Sequence, residues 1–275
     1  MGRSISDMRA TLKPVEALSL MYHDVVEPGC FGASGFPGEG AHRYKLERAA
    51  FRRHLEAIRD SDGAGRVSMI SNTAPWSGRP VFLTFDDGGI SAHGCIAPML
   101  ESFGWRGHFF ITTGRIGSSG FVSEAQIRDL RQRGHVIGSH SITHPTRMSY
   151  VPWEQMKDEW SASKARLEEI LGEPVKTASV PGGFYSKKVA QAAALAGFEA
   201  LFNSEPESRT HSVDGCLVIG RYAILRDMPP AISGAIAAGS FFPRWKQSLL
   251  WKAKKVAKAA GGGAYLRVRE TLVSK

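Results

Sequence analysis

Residues 81–89 read VFLTFDDGG. An apolar run rich in β-branched and aromatic residues is typical of a buried strand, and this run stops at two adjacent carboxylates. Because neighbouring carboxylates repel each other and resist desolvation, they persist at a strand end mainly where they share a cation or a proton. The alternative is ordinary turn chemistry, since Asp-Gly commonly begins a turn. The stretch therefore predicts a strand that ends at a metal site or in a plain turn.

A second apolar run, about fifty residues later, ends in histidines. Residues 135–145 read HVIGSHSITHP, which places His140 and His144 four positions apart. If a helical turn follows the strand, both imidazoles face the same way and can bind one cation. A histidine pair alone is a weak signal. A carboxylate and two imidazoles at strand ends, however, supply the mixed oxygen and nitrogen ligands of a catalytic zinc site. The two stretches together predict a divalent metal, most naturally Zn²⁺.

The same residues carry a family resemblance. TFDDG at residues 84–88 and HSITH at residues 140–144 resemble the first two motifs of the polysaccharide deacetylase family, the NodB-homology domain of carbohydrate esterase family 4. The order, the spacing and the flanking apolar runs match over roughly residues 80–205. The resemblance implies an α/β fold, a distorted (β/α) barrel with about seven parallel strands. It also implies metal-dependent removal of N-acetyl groups from amino sugars.

The resemblance assigns roles to individual side chains. It implies that Asp86 is the general base and that Asp87, His140 and His144 hold the metal. Residues 177–184, TASVPGGF, stand in the place of the third motif, which usually reads Arg-x-Pro followed by an aromatic residue. By resemblance, the backbone N–H of Gly182 helps to hold the oxyanion of the tetrahedral intermediate.

The third motif lacks its arginine, which leaves open what orients Asp86 and keeps it ionised. Arg221, on the last predicted strand, is one substitute. The alternative is that Arg221 lies at the rim of the barrel in a surface ion pair, which would contribute little.

The general acid also departs from the usual pattern. The family's final strand carries a Leu-x-x-His, whereas residues 217–225 contain no histidine. Some members are circularly permuted and take this histidine from an N-terminal Tyr-His segment, which Tyr22 and His23 resemble. Histidine suits the task because it exchanges a proton near neutral pH. We therefore expect His23 to protonate the leaving amine; the alternative is that it merely closes the end of the barrel.

Length and composition favour one large domain. A chain of 275 residues fits a single α/β core, and short strands alternating with amphipathic helices predict parallel βα units. Three widely separated cysteines indicate neither a disulfide framework nor a cysteine zinc site. The N-terminal stretch lacks the apolar segment of a signal peptide, and no apolar run approaches the roughly 20 residues of a membrane span. We therefore expect a cytoplasmic protein.

The C-terminal segment has a different composition, so we expect a barrel over 1–242 and a basic tail over 243–275. The tail holds nine Lys or Arg residues against Glu270, which is +8 of the net charge of +9. On a helical wheel its apolar residues share one side. Such a helix can lie on an anionic membrane, at the inner membrane face in a cytoplasmic protein, or it can pack its apolar side on the barrel; both interpretations stay open. Nucleic acid is disfavoured because no recognised binding module accompanies the charge.

The predicted function is a metal-dependent deacetylase that hydrolyses N-acetyl groups of amino sugars in an oligosaccharide, a polysaccharide or a lipid-linked saccharide. One alternative is a related amidohydrolase acting on cyclic amides or ureides. The other is a carbohydrate-binding relic without activity, which the missing arginine suggests.

Overall fold

The structure is a computed structural model that describes residues 16–70 and 78–253. Its strands are β1 (Leu18–Tyr22), β2 (Val25–Val26), β3 (Leu46–Glu47), β4 (Val67–Ser68), β5 (Val81–Phe85), β6 (His108–Ile111), β7 (Val136–Ser139), β8 (Thr177–Ser179), β9 (Ala200–Phe202), β10 (His211–Val213), β11 (Cys216–Ile219) and β12 (Tyr222–Ala223). Its helices are α1 (Glu39–His42), α2 (Arg48–Arg59), α3 (Ala97–Ser102), α4 (Glu124–Gln132), α5 (Trp153–Leu171), α6 (Lys187–Leu195) and α7 (Ala231–Ala238).

One curved sheet of ten strands dominates the fold. Its order is β10-β11-β9-β8-β7-β6-β5-β1-β12, with β4 paired to β5 off this path. Every pair in it is parallel except β10 with β11. Because β11 pairs with β9 while β12 pairs with β1, the short segment 216–223 bridges the two ends of the sheet. The predicted distorted α/β barrel is confirmed.

The bridging segment also explains why the parallel strands along this path number eight rather than about seven. The single strand predicted over 217–225 splits into β11 and β12 at Gly220 and Arg221. A Cβ at Gly220 would lie 2.5 Å from the carbonyl oxygen of Glu205, so only glycine lets the two backbones approach this closely. The split leaves Arg221 between the two ends of the sheet.

Strand β5 shows how the barrel delivers its carboxylates. Successive side chains of a strand point to opposite faces. Val81, Leu83 and Phe85 belong to the main core that includes buried residues of the surrounding helices, whereas Phe82 packs with an inner cluster. Thr84 and Asp86 therefore continue the inner face that Phe82 begins. The alternation carries Asp86 to the carboxyl end of the strand on the inside of the barrel, where α/β barrels place their chemistry.

Apolar periodicity predicts helices over residues 46–58, 96–103, around 127–130 and over 154–171, and these are present as α2, α3, α4 and α5. Sequence reasoning missed α6 and α7, because their buried residues are mostly small and give a weak periodic signal. Gly234 shows the use of small residues, since a Cβ there would lie 2.3 Å from the carbonyl oxygen of Ala57 in α2. No helix within the described ranges combines the length and the apolarity that crossing a bilayer requires.

The described chain ends in a further helix over residues 241–253. The rest of the predicted tail, residues 254–275, lies outside the described residues. The division into a barrel over 1–242 and a tail over 243–275 therefore stays a prediction.

Candidate metal centre

Asp87, His140 and His144 come together at the carboxyl ends of β5 and β7. Their candidate ligand atoms all lie within 4.8 Å of one another. Asp87 Oδ1 is 3.5 Å from His140 Nε2 and 3.4 Å from His144 Nε2. Ligands bound tetrahedrally to one zinc ion would lie about 3.3 Å apart, given zinc–ligand bonds of about 2 Å. Asp87 Oδ1 is also buried without a hydrogen-bond partner among the described residues. The three side chains therefore fit a single divalent cation.

A hydrogen bond to the neighbouring strand fixes the orientation of the His140 ring. Its Nδ1 lies 2.9 Å from the carbonyl oxygen of Ser179, at the end of the neighbouring strand β8. A carbonyl only accepts, so Nδ1 carries the hydrogen, and in the neutral ring the Nε2 lone pair is left for a cation held between His140 and Asp87. Sequence reasoning missed Ser179, although its place at the end of a strand next to β7 could have indicated it.

His144 reaches the site through an irregular turn. The helical turn on which the pairing argument rested is absent, and Ser141 and His144 instead adopt left-handed backbone conformations with φ of 66° and 57°. Glu159 of α5 holds this turn, since its carboxylate accepts from the N–H groups of Ile142 and Thr143 at 2.8 and 2.9 Å. The amphipathic pattern of residues 154–171 predicts a helix whose charged side chains face solvent, which is wrong for Glu159 because it is buried. Neither the turn nor its anchor follows from local sequence.

A strained backbone turns Asp87 away from its neighbour. Asp87 has φ of 76°, and Gly88 follows with φ of 78°. A left-handed conformation in a non-glycine residue costs about 1–3 kcal/mol and persists where the surroundings enforce it. The turn is what lets two consecutive carboxylates meet different partners.

Electrostatics favour the ligand forms of Asp87 and His144, whereas for His140 burial would lower the pKa but the charges of Asp86 and Asp87 raise it above its ordinary value. Burial alone would raise the pKa of Asp87, but its interactions with His140, His23 and His144 lower that pKa below the ordinary value. Burial and the charge of His140 lower the pKa of His144 to about 4, so His144 is neutral near pH 7. An ionised carboxylate and a neutral imidazole are the forms that bind a metal ion.

Asp86 pairs with Arg221 inside the barrel. The guanidinium donates Nη1–H to Asp86 Oδ1 and Nη2–H to Asp86 Oδ2, both at 2.7 Å. It also donates to Ser179 Oγ at 2.7 Å and to the Asn203 carbonyl at 2.8 Å. Arg221 is fully buried, so the alternative of a surface ion pair at the barrel rim is wrong. Burial would raise the pKa of Asp86, but the charge and hydrogen bonds of Arg221 and the charge of His140 hold it below its usual range.

His23 lies beside these carboxylates. Tyr22 pairs with Phe85 across β1 and β5, so His23 follows at the level of Asp86. Its ring centroid is 4.5 Å from that of Tyr44, and its Nδ1 is buried without a hydrogen-bond partner among the described residues. The electrostatic interaction with His23 contributes to lowering the pKa of both Asp86 and Asp87. Its role as general acid stays a prediction.

Gly182 lies at the exposed edge of the site. It adopts φ of 66°, and a Cβ there would come within 2.2 Å of the carbonyl oxygen of Thr146. Thr146 follows His144 by two residues, so the turn at Gly182 packs directly against the metal-ligand loop. Only glycine fits both the conformation and the close approach. The predicted oxyanion role of its N–H stays a prediction.

A loop over residues 27–40 brings an unpredicted aromatic side chain to the site. Lys45 is buried and donates to three carbonyls of this loop, while Asp24 accepts from Ser34 Oγ at 2.5 Å. These bonds fix the loop so that the Phe36 ring centroid lies 4.7 Å from that of His144. The Gly- and Pro-rich sequence of residues 27–40 predicts a surface loop of the kind that often contacts substrate, and Phe36 of this loop forms an apolar wall beside the site.

Comparison with known proteins finds similarity to one family. Residues 74–201 match the family model described as polysaccharide deacetylase. YxkH of Bacillus subtilis, whose name places it among the polysaccharide deacetylases, is 24% identical over 242 residues, which cover 86% of this chain and 79% of YxkH. The predicted family resemblance is confirmed.

Solved structures share the fold at low sequence identity. The Streptococcus pyogenes deacetylase PplD, solved in complex with acetate, superposes with a TM-score of 0.62 at 22% identity, covering 79% of this chain and 96% of PplD. IcaB from Ammonifex degensii superposes with a TM-score of 0.64 at 21% identity, covering 82% of this chain and 97% of IcaB. At these identities the likeness supports the fold.

Proposed function

We propose that this chain is a metal-dependent deacetylase that hydrolyses the N-acetyl group of an amino sugar. The amino sugar would be part of an oligosaccharide, a polysaccharide or a lipid-linked saccharide. The chain belongs to the polysaccharide deacetylase family. The observation that carries the proposal is the separation of two adjacent carboxylates. Asp87 faces two imidazoles, while Asp86 is held by a buried guanidinium. Metal-assisted hydrolysis needs both parts: a ligand set with neighbouring space, and a separate ionised base.

Asp87, His140 and His144 are the residues that would hold the cation. When bound, a divalent cation supplies Lewis acidity toward the acetyl carbonyl and makes water a stronger acid. The Ser179 carbonyl holds His140 in the tautomer that presents Nε2, and Glu159 holds the loop that presents His144. These outer contacts fix the ligands before substrate arrives.

Asp86 is the proposed base. Its two oxygens each accept a guanidinium N–H from Arg221, which keeps the carboxylate ionised and fixes its plane. From this position it takes a proton from the attacking water as the C–O bond forms. Arg221 itself touches no reacting atom in this scheme and acts as a positioning residue.

His23 is the proposed acid. When the C–N bond breaks, the departing amine needs a proton, and a half-buried imidazole beside the carboxylate pair can donate it. The Gly182 N–H at the edge of the site would donate a hydrogen bond to the oxyanion of the tetrahedral intermediate. Phe36 would pack against the apolar part of the substrate next to His144.

The two alternatives have less support. The carbohydrate-binding relic was suggested by the missing arginine of the third motif, and Arg221 supplies a guanidinium to Asp86 from another strand. Hydrolysis of cyclic amides or ureides is disfavoured because the Asp-His-His ligand set is intact.

The proposal is tested by metal analysis and an acetate-release screen. The screen would cover N-acetylglucosamine oligomers, nucleotide sugars and polyprenyl-linked sugars, because the sequence does not select among these saccharides. We expect about one divalent ion per chain and acetate from at least one class, with Asp86→Asn as the matched control that keeps the metal. Ureide hydrolysis without acetate release would support the first alternative. Saccharide binding by a protein that releases no acetate would support the second.

A further inference from the structure

The helix over residues 241–253 presents its apolar face to solvent. Five of its large apolar side chains are between 45% and 72% exposed, and Trp251 is half-buried; the five are Phe241, Phe242, Trp245, Leu249 and Leu250. Positions 241, 245 and 249 follow one another at intervals of four residues, so they form a continuous stripe along the helix. The interpretation in which this helix packs its apolar side on the barrel is therefore wrong for the described residues.

The polar side of the helix faces the barrel instead. Arg244 donates to Ser208 Oγ at 3.2 Å and to the Gly239 carbonyl at 3.0 Å. One turn later, Gln247 donates from Nε2 to the Ala223 carbonyl at 3.2 Å. These bonds fix the rotation of the helix about its axis, so the outward direction of the apolar stripe is part of the fold.

Positive charge accompanies the exposed stripe. Lys246 and Lys252 are exposed on the same helix, and the sequence continues with Lys254, Lys255 and Lys258. An exposed apolar face of this kind on a monomer usually marks an interaction site. Two copies of the chain meeting through it would bring their lysines together, whereas an anionic lipid surface satisfies both the charge and the apolar side chains.

We propose that the helix over residues 241–253 docks the protein on an anionic phospholipid bilayer, with the stripe of Phe241, Trp245 and Leu249 inserted at the headgroup level. The lysines then lie among the phosphate groups. The helix lies in the plane of the interface and does not cross it.

The docked helix also sets the position of the active site. The Trp251 ring lies beside the turn that contains the proposed oxyanion donor, since a Cβ at Gly183 would be 3.8 Å from Trp251 Cη2. Docking would therefore hold this edge of the site near the membrane, within reach of lipid-linked amino sugars. This consequence rests on the proposed deacetylase function, whereas the docking itself does not.

Cosedimentation of the full chain with phospholipid vesicles tests the proposal. We expect binding to phosphatidylcholine vesicles that contain phosphatidylglycerol, weak binding to vesicles of phosphatidylcholine alone, and release at high salt. The triple variant Phe241→Ser, Trp245→Ser, Leu249→Ser should lower the partition coefficient by about a hundredfold, because it removes most of the inserted apolar area. Leu195→Ser is the matched control, since Leu195 is an exposed leucine on α6.

A second variant tests the charges. Lys246→Gln with Lys252→Gln should weaken binding to the anionic vesicles by about thirtyfold, at about 1 kcal/mol per lysine. Lys187→Gln with Lys188→Gln changes the same number of exposed lysines on α6 and should have little effect. Unchanged melting temperatures would show that the variants are folded.

Two results would overturn the proposal. One is equal vesicle binding by the wild type and the triple serine variant. The other is a wild-type dimer in sedimentation velocity that dissociates in the serine variant and never binds vesicles, which would assign the face to a second copy. Acetate release from a soluble N-acetylglucosamine oligomer, measured in parallel, reports on the catalytic proposal independently.

Discussion

The stretch that matches the family, residues 74–201, and the segments on either side of it contribute different things to the site. The matched stretch supplies Asp86 and the three metal-ligand candidates. The flanking segments supply Arg221, His23 and the aromatic wall at Phe36. The type of chemistry is thus encoded in compact motifs, whereas the control of protonation and orientation depends on segments that are remote in sequence.

Asp86 and Asp87 repeat this contrast at the scale of one peptide bond. Asp86 continues the alternation of β5, so its side chain points into the barrel and pairs with Arg221, which lies after the matched stretch. Asp87 has φ of 76°, and its side chain points toward His140 and His144 of the matched stretch. Two identical side chains are given separate tasks by backbone conformation and by their partners. If the two sets of residues have separate roles, variants in one set should change activity without changing what the other set does.

The largest effect is expected at the metal-ligand set. His140→Ala should remove the bound ion and lower acetate release by at least about a thousandfold, because one of the three candidate ligands is lost. Asp86→Asn should lower turnover by about as much while the ion stays bound, since it removes only the base. Metal content by mass spectrometry beside acetate release separates the two.

The matched control for these variants is His211→Ala, an exposed histidine on β10. Near wild-type turnover in Asp86→Asn would show that Asp86 is not the base. Loss of the metal in that variant would show that Asp86, and not Asp87 alone, is needed to hold the ion.

The next largest effect is expected at His23, which lies in the segment before the matched stretch. His23→Ala should keep both the metal and the fold and lower kcat by about a hundredfold to a thousandfold, which is the usual contribution of a general acid. It should also remove the alkaline limb of the pH–rate profile. An unchanged alkaline limb would assign this proton transfer to another group and leave His23 as a residue that closes the barrel end.

A smaller catalytic effect is expected at Arg221. Arg221→Lys keeps the charge but cannot make the paired bonds to both oxygens of Asp86, so kcat/KM should fall by about tenfold to a hundredfold with the metal content unchanged. Arg221→Met should instead destabilise the fold by about 3–5 kcal/mol, because it leaves Asp86 buried without its partner. Arg128→Lys, in an exposed pair with Glu124, is the matched control. Equal activity in Arg221→Lys and wild type would mean that Asp86 needs no bidentate partner.

The sequence allowed the matched stretch to be predicted well because its signals are local. An apolar run ending in carboxylates, and another ending in histidines, predicted β5, β7 and the three candidate ligands that the structure brings together. The prediction of a helical turn after β7 was wrong, because the shape of that loop depends on Glu159. This residue lies on α5, which comes later in the sequence.

The flanking contributions were harder to predict for the same physical reason. Arg221 could be suggested as a substitute, but its burial depends on the way segment 216–223 bridges both ends of the sheet. The apolar side of helix 241–253 is readable on a helical wheel, but which side faces solvent depends on hydrogen bonds to distant carbonyls such as that of Ala223. Periodicity shows that a face exists, whereas tertiary structure decides what covers it.

The smallest expected effect concerns stability within the flanks themselves. His54 of α2 is buried, and its Nδ1 lies 2.7 Å from Ser233 Oγ of α7. Tyr22 of β1 donates its hydroxyl hydrogen to the same Ser233 oxygen at 3.0 Å. Ser233 can then donate its own hydrogen to Nδ1 only while His54 is neutral. The chain of bonds ties together three flanking elements and should weaken when His54 is protonated.

Burial, together with the charge of Arg53, lowers the pKa of His54 to about 4, whereas an unfolded chain has a histidine pKa of about 6.5. Between these values the unfolded chain binds a proton that the folded chain does not, so stability falls as pH drops through this window. At pH 5 the loss from this one group is about 2 kcal/mol relative to pH 7. Denaturant unfolding at both pH values should show a smaller loss in His54→Gln, which does not titrate and can still accept from Ser233. His211→Gln, at an exposed position, should behave as wild type. If His54→Gln loses as much stability as wild type on acidification, the flanking elements are not joined through a neutral His54. The group to test would then be His108 of the matched stretch, which is buried and whose pKa burial also lowers to about 4.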